Sequence, residues 1–224
     1  MKSVIFLFDK SGIAAAPWAA AGYPCFCYDI LHKEEITINN ITYVPWDAMQ
    51  PEALSAIYAR HSEVKFVVAF PPCTDLAVSG AKHFTAKRKA NPNFQKEAVV
   101  MARLAVEVAK YFNCDFVIEN PVSMLATMWK PFSYSFHPYE YGGYLPEDDI
   151  HPEYPQYITA RDAYRKKTCL WTSSYFVMPP KKPVPCSSGW SKQTTMLGGK
   201  SERTKYIRSL TPRGFTIAFY EANK

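Results

Sequence analysis

The sequence has 224 residues, 48% of them hydrophobic and 21% charged, and its formal net charge is +6. This composition is typical of a globular domain with a full hydrophobic core. No apolar run approaches the roughly 20 residues that a membrane-spanning helix needs. The first apolar run ends at Asp9, too early for a signal peptide. We therefore expect a cytoplasmic protein that does not enter a membrane, with an anionic partner.

Short apolar runs alternate with helical patterns along the chain, which indicates repeated βαβ units and a parallel sheet. Strands are predicted over 3–8, 24–28, 41–44, 65–70, 115–118 and 168–171. Helices are predicted over 13–21, 51–60 and 93–112, and a last helix after Thr211, with Pro212 at its first position. The expected fold class is α/β, with a doubly wound and mostly parallel sheet.

Three stretches, 74–92, 130–164 and 173–200, show neither pattern. No convincing linker divides the chain, so we expect one catalytic domain over residues 1–224. The six cysteines form no C-x-x-C pair, and all but Cys73 are expected to be buried, reduced thiols.

Pro71, Pro72 and Cys73 follow the strand predicted over 65–70. Ligands of doubly wound sheets bind at the carboxyl ends of the strands, so Cys73 is expected at the rim of a cleft. The two prolines stiffen the turn that carries the thiol. Taken alone, this pattern is more often a simple turn followed by a packed cysteine.

A second motif, Glu119-Asn120-Pro121, follows the strand predicted over 115–118 and so lies at the same edge of the sheet. A thiol and a carboxylate that separate strands bring to one edge form a nucleophile and acid pair. A third motif, Arg165-Lys166-Lys167, enters the last predicted strand.

In this order the three motifs resemble those of the cytosine-C5 DNA methyltransferases, which carry Pro-Pro-Cys, Glu-Asn-Val and Arg-x-Arg on a Rossmann-like sheet. The resemblance covers most of the chain and is to small, phage-like forms. It implies that Cys73 attacks C6 of cytosine, that Glu119 contacts N3, and that Arg165 and Lys167 take the places of the two arginines. Pro121 departs from the usual valine.

On the substrate side, the resemblance places Asn120 at the position of the family's structural asparagine. Ser79, followed by Gly80, matches a pair in the mobile catalytic loop. Lys82 belongs to a basic cluster in the same stretch and is expected to contact the substrate.

The resemblance also implies S-adenosylmethionine (SAM) as cofactor. After the first strand the family has Phe-x-Gly-x-Gly-Gly. Phe8 and Gly12 match this pattern, whereas Lys10 and Ile13 stand where glycines are expected. Because a side chain at these positions would crowd the cofactor, the loop is expected to approach SAM differently or to bind it weakly.

Further cofactor contacts are expected at the ends of the next strands. Asp29 ends the second strand, at the position that holds the ribose hydroxyls. Trp46 and Asp47 follow the third strand and could hold the adenine ring, and Pro71 completes the cofactor side. Each aspartate alone is more often a turn former.

The substrate is less well defined by the sequence. An inserted loop, 144–164, precedes Arg165, and the segment 173–200 is too short for the family's target-recognition domain. Basic clusters at 82–89 and 200–208 could grip a nucleic-acid backbone, which favours DNA methylated in loose sequence contexts. Free cytidine nucleotides such as dCMP are the alternative substrate, and a non-catalytic nucleic-acid-binding relative is the alternative of another class. The acids of the inserted loop are expected to be solvated, and no metal site is predicted.

Overall fold

The computed structural model describes residues 1–186, 189, 191–198 and 201–224. They form two compact units, Met1–Ser135 with Thr168–Phe176 (the first unit) and Phe136–Lys167 with Val177–Lys224 (the second unit). The inserted loop and most of the segment 173–200 thus belong to the same unit. Lys200, the first cation of the last basic cluster, lies outside the described residues. The single domain over 1–224 stays a prediction.

The first unit is built on an eight-stranded sheet in the order β3-β4-β2-β1-β5-β6-β8-β7. Its strands are β1 (Ser3–Leu7), β2 (Cys25–Asp29), β3 (Ile36–Ile38), β4 (Ile41–Pro45), β5 (Val64–Ala69), β6 (Asp115–Pro121), β7 (Tyr134–Phe136) and β8 (Thr168–Thr172). The five strands from β4 to β6 run parallel, whereas β3 and β8 are antiparallel to their neighbours. This is the predicted α/β fold with a doubly wound, mostly parallel, Rossmann-like sheet.

The helices confirm the stronger patterns of the sequence and add elements that it did not predict. They are α1 (Ala16–Ala20), α2 (Ala53–Arg60), α3 (Phe84–Ala90), α4 (Phe94–Phe112), α5 (Leu125–Met128), α6 (Lys192–Thr195), α7 (Glu202–Ser209) and α8 (Arg213–Asn223). The prediction that 74–92 is irregular was wrong, since this stretch holds α3 and a 3₁₀ helix, Val78–His83. Their side chains are largely exposed and show no apolar period.

The core of the first unit lies between the sheet and its helices. Residues Val4 to Leu7 of β1 are completely buried, as expected for a parallel strand covered on both faces. The apolar stripe of α4, which includes Ala98, Ala102 and Ala105, is buried in the same core. Because these side chains are small, α4 can pack closely against β5 and β6.

The order in which strands are added to the sheet reverses at β1, which lies between β2 and β5. In sheets of this kind, ligands bind outside the carboxyl ends of the strands at such a switch point. Hydrogen bonds continue beyond the strand ends there, from Phe8 N to Tyr28 O (2.7 Å) and from Phe70 N to Leu7 O (3.0 Å). The residues that follow β1 and β5 are therefore held in register at one edge.

The second unit packs around the amino end of α8. The Phe215 ring stacks on Phe136 at 4.0 Å between centroids, and the Gly214 N–H donates to the buried Asp162 carboxylate (2.9 Å). Asp162 thereby caps α8, which begins at Arg213, one residue later than predicted, with Pro212 in the cap position. The sequence could not reveal this cap because Asp162 is remote from α8 in the chain.

The acids of the inserted loop are not all solvated as predicted. The Asp149 carboxylate forms a bidentate ion pair with Arg213 (2.6 and 2.8 Å) and is almost completely buried. His151 is also buried, and its Nδ1 accepts backbone N–H groups. The ion pair with Arg213, the first residue of α8, has withdrawn the Asp149 carboxylate from water.

Two further findings concern the predicted class of protein. No helix among the described residues is long and apolar enough to cross a membrane. The six cysteines, all within the described part of the chain, form no disulfide. Cys25, Cys27 and Cys169 are buried as predicted, whereas the prediction was wrong for Cys114 and Cys186, which are only half-buried.

We expect Gly214→Ala to destabilise the second unit. A Cβ at this position would collide with the Tyr141 carbonyl oxygen, and crowding of a packed interior costs about 1–3 kcal/mol. Gly198→Ala is the matched control, because nothing lies within 4 Å of its added Cβ. Urea unfolding measures both variants, and equal stability of the two would contradict this packing.

Candidate active site

Neighbouring parallel strands carry Cys73 and Glu119 to one edge of the sheet. Ala69, the last residue of β5, is paired with Ile118 of β6. The next residues along the two strands are Phe70 and Glu119, on strands that lie about 4.8 Å apart. Cys73 and Glu119 are both half-buried. A thiol and a carboxylate thus leave adjacent strands at the edge where ligands bind.

The loops that follow these two strands are tied together. The Asn120 side chain is 1% exposed, and its Nδ2 donates to the Pro71 carbonyl oxygen at 3.0 Å. Residues 76–78 and 122–124 exchange two backbone hydrogen bonds (2.8 and 3.1 Å). Asn120 therefore joins the turn that carries Cys73 to the strand that carries Glu119, which is a structural role. Its Oδ1 has no hydrogen-bond partner among the described residues.

The turn that carries Cys73 is also held from its other side. The Lys87 Nζ of α3 donates to the Thr74 carbonyl oxygen (2.8 Å) and to the Asp75 carboxylate (2.6 Å). The Gln95 Nε2 of α4 donates to the Asp75 carbonyl oxygen (3.4 Å). We call Lys87 and Gln95 the turn clamp. The sequence showed Lys87 only as one cation of a basic run, so its special role was missed.

Ser79 and Lys82 lie on the exposed 3₁₀ helix Val78–His83, directly after the turn. Lys82 forms no ion pair within the described part of the chain and remains exposed to solvent. Their predicted contacts with the substrate stay predictions.

The loop after β1 is organised by Asp9, a residue that the sequence analysis passed over. Its Oδ1 accepts hydrogen bonds from the Ser11 N–H, the Ser11 hydroxyl and the Gly12 N–H, all at 2.9 Å. Burial raises the pKa of Asp9, and the hydrogen bonds from Gly12 and Ser11 oppose this shift. Phe8 and Gly12 adopt left-handed backbone conformations, with φ of 59° and 69°. Lys10 is exposed and so leaves the interior of the loop open.

Gly12 is required for a second reason, which involves a neighbouring strand. A Cβ at this position would collide with the hydroxyl of Tyr43 on β4. His32 packs edge-on against Tyr43 (5.3 Å between centroids), and its Nε2 lies 3.2 Å from the Asp9 carbonyl oxygen. His32 and Tyr43 therefore support the loop, and no local pattern in the sequence signalled either residue.

Asp29 and Asp47 form the same kind of turn as Asp9. In each, Oδ1 accepts a hydrogen bond from the backbone N–H two residues further on, at 2.8 Å for Asp29 and 2.9 Å for Asp47. The second oxygen of Asp47 accepts from the Gln50 side chain (3.1 Å). In Asp29, which is half-buried, the second oxygen has no hydrogen bond from any residue that the structure describes. Burial raises the pKa of Asp29, and the Leu31 N–H, His32 and Lys10 lower it.

Trp46, which was predicted to hold the adenine ring, lies in the hydrophobic core and not at the exposed edge of the sheet. It is 7% exposed, and its Nε1 donates to the Ala53 carbonyl oxygen (3.0 Å). The Phe8 ring is half-buried and meets Trp46 edge-on at 5.4 Å. A nucleoside cofactor would fit beside three features: the loop after β1 that contains Gly12, the unused carboxylate oxygen of Asp29, and the Phe8 ring.

Arg165 and Lys167 both belong to the second unit. Both are exposed, and the Arg165 guanidinium lies 5.5 Å from the centroid of the Tyr139 ring. Their predicted catalytic role stays a prediction. Within the described residues, no group of three His, Cys, Asp or Glu side chains could hold a metal ion.

No protein-family profile matches the chain, and no curated protein is significantly similar to it. Among solved structures, the chain is similar to a prophage-encoded E. coli protein that is provisionally described as a DNA modification methyltransferase. The alignment has a TM-score of 0.45 and 14% identity, and covers 83% of this chain and 53% of the other. This chain thus spans about half the length of that protein. Similarity at this level supports no statement about activity.

We expect Lys87→Met to loosen the turn that carries Cys73. The N–H groups of Leu76 and Ala77 donate to the Cys73 carbonyl oxygen (3.0 and 2.7 Å), so they report on this turn. Loss of a hydrogen bond worth about 1 kcal/mol should speed their amide hydrogen exchange about fivefold. Lys89→Met removes the same charge from the same helix and is the matched control. Equal exchange in the two variants would show that Lys87 does not clamp the turn.

Proposed function

We propose that this protein transfers a methyl group from SAM to C5 of cytosine, through a covalent bond between Cys73 and C6. The observation that carries the proposal is the order of strands at the switch point. The neighbours β1 and β5 end in the loop of Asp9 and Gly12 and in the Cys73 turn, respectively, and β6 carries Glu119 two residues before its carboxyl end. A methyl donor, a nucleophile and an acid are all needed for this reaction, and the side-by-side position of these three features in the sheet supports the proposal.

The chemistry explains why a thiol and a carboxylate are needed. C5 of cytosine is a poor nucleophile towards a methyl sulfonium. Addition of the Cys73 thiolate to C6 moves electron density to C5, while Glu119 holds or donates a proton at N3. After methyl transfer, a base such as water removes the C5 proton. The electrons of that C–H bond then re-form the C5–C6 double bond as the Cys73 sulfur leaves.

SAM would be held at the ends of β1, β2 and β4, and its sulfonium supplies the methyl group. Phe8, Gly12 and the turn at Pro71 would line the side towards β1 and β5. Asp29 would accept hydrogen bonds from the ribose hydroxyls through its unused oxygen. Asp47 and Trp46 would shape the adenine side, Trp46 by supporting the Phe8 ring rather than by direct exposure.

For the substrate we favour DNA, methylated in loose sequence contexts. Lys82, Arg88 and Lys89 are exposed near the Cys73 turn and could bind backbone phosphates, which carry no sequence information. Methylation of dCMP is the second candidate and needs only one compact phosphate site. A non-catalytic nucleic-acid-binding relative is the third, although binding alone would require neither Cys73 nor Glu119.

The nucleophile is tested by DNA that contains 5-fluorocytosine. Because fluorine at C5 cannot leave as a proton does, we expect a covalent protein–DNA complex that forms with SAM and resists denaturation in a gel. Cys73→Ala should abolish this complex and the transfer of labelled methyl groups. Glu119→Gln should slow transfer strongly and leave SAM affinity unchanged, since its proposed contact is with the base.

Three outcomes would decide against the proposal. Normal turnover by Cys73→Ala would exclude the covalent mechanism. Methylation of dCMP with none on DNA would exclude DNA as substrate and leave the Cys73 chemistry in place. A failure to bind SAM, with nucleic-acid binding intact, would favour the non-catalytic relative.

The cofactor assignment is tested by calorimetric titration with SAM. We expect Asp29→Ala to bind SAM about tenfold more weakly, because it loses hydrogen bonds to a charged group worth about 1.5 kcal/mol or more. Lys10→Gly should bind SAM at least as well as the parent, since Lys10 is exposed and a glycine removes any crowding. Unchanged affinity in Asp29→Ala would remove Asp29 from the site, and weaker binding by Lys10→Gly would show that Lys10 contacts the cofactor.

A further inference from the structure

The positive charge of the chain is concentrated in the second unit. This unit has 13 lysines and arginines against eight aspartates and glutamates, whereas the first unit has 13 against 12. The second unit is the smaller of the two, so its density of positive charge is much higher. Such an imbalance is typical of surfaces that bind polyanions.

Several acids of the second unit contribute little negative charge to its surface. Asp149 is buried against Arg213, and Asp162 is buried beneath α8. Glu140 forms an ion pair with Lys181 (2.7 Å), and Glu202 with Lys205 (2.6 Å). Cations therefore dominate the exposed charge.

Part of this charge is organised along the 3₁₀ helix Pro138–Tyr144. The chain at 182–184 runs beside this helix through three backbone hydrogen bonds, which join it to Tyr139, Glu140 and Gly143 at 2.8–2.9 Å. Lys181 and Lys182 are thereby fixed along one side of the helix. Arg165 approaches the same helix, with its guanidinium over the Tyr139 ring.

Tyrosine rings support two of these cations. The Lys182 Nζ lies 4.0 Å from the centroid of the Tyr144 ring, whose hydroxyl donates to the Pro180 carbonyl oxygen (2.8 Å). The Arg165–Tyr139 distance is 5.5 Å. Stacking on a ring keeps the cation exposed and limits its freedom, so less entropy is lost when an anion binds.

The charges of three cations also act on His137, which directly precedes the 3₁₀ helix. Burial lowers the pKa of His137, and the charges of Arg165, Lys167 and Lys181 lower it further, against the opposing effect of Glu140. These three cations are thus close enough to act on one imidazole. We call Arg165, Lys167, Lys181 and Lys182 the basic strip.

We propose that the basic strip of the second unit binds the phosphate backbone of a nucleic acid. Four cations spread over two chain segments match a series of phosphates rather than one terminal phosphate. The adjoining tyrosine rings offer flat faces of the kind on which bases stack. The inference rests on the proposed function for its partner, and it assigns to Lys181 and Lys182 a role that neither motif nor resemblance indicated.

The test is fluorescence anisotropy with a labelled DNA duplex over a series of salt concentrations. We expect Lys182→Gln to weaken binding several-fold and to reduce the slope of log Kd against log salt by about 0.9, the value for one lost phosphate contact. Lys224→Gln is the matched control, because Lys224 also lies over a tyrosine ring, Tyr220, at 5.6 Å. This control should bind as the parent does. Circular dichroism establishes that both variants fold.

A variant with the opposite charge change gives an independent measurement. Glu140→Gln removes the carboxylate that pairs with Lys181 of the basic strip. It keeps a side-chain oxygen that can accept the hydrogen bond from the His137 backbone N–H (2.8 Å). We expect it to bind DNA more tightly, with a steeper salt dependence. Equal affinity of Lys182→Gln and Lys224→Gln, or displacement of the duplex by dCMP as readily as by DNA, would overturn the inference.

These results are separable from those on the proposed function, because binding requires no methyl transfer. Binding that depends on Lys182 in a protein that makes no 5-methylcytosine would support the basic strip and overturn the proposed function. Methyl transfer to DNA that depends on Cys73, with the affinity for DNA unchanged in Lys182→Gln and Glu140→Gln, would support the proposed function and overturn the basic strip.

Discussion

The hydrogen bond from the Asn120 amide to the Pro71 carbonyl oxygen joins the two halves of the candidate active site. Parallel strands bring Cys73 and Glu119 to the same edge, but the turns beyond the strands would otherwise be independent. Because Asn120 is buried, this bond is shielded from water and is stronger than it would be at the surface. The turn clamp of Lys87 and Gln95 binds Thr74 and Asp75, just after Cys73. The turn that carries the thiol is therefore held both before and after Cys73. A nucleophile that must reach one ring carbon benefits from such restraint.

The loops that follow β1, β2 and β4 share the same kind of turn. Asp9, Asp29 and Asp47 each follow or end a strand, and each uses one carboxylate oxygen to close a turn with a backbone N–H. Asp29 differs because its second oxygen stays available, so the same side chain can shape the loop and meet a ligand. Lys10 stands where the resemblance places a glycine, but the left-handed residues of this loop are Phe8 and Gly12, and Lys10 is exposed.

The second unit contains most of the two stretches, 130–164 and 173–200, in which the sequence shows no strand or helix periodicity. Its core is made by aromatic rings such as Phe136 and Phe215, and by the buried pair of Asp149 and Arg213. Because Asp149 and Asp162 are buried, lysines and arginines outnumber acids at the surface of this unit. The unit thus combines a small aromatic core with a strongly cationic exterior, which suits a polyanionic partner.

The sequence by itself determined the α/β class, the main strands, the position of Cys73 after β5 and that of Glu119 near the carboxyl end of β6, a strand that extends three residues further than predicted. These features depend on periodicity and turn residues, which operate between close neighbours in the chain. Only the tertiary structure decided that Asn120 bonds to Pro71, that Lys87 holds the turn, and that the inserted loop folds with α8. Each of these contacts joins residues far apart in sequence, so no local pattern encodes it. Asp149 of the insertion was predicted to be solvated for the same reason, because its partner, Arg213, lies 64 residues further along the chain.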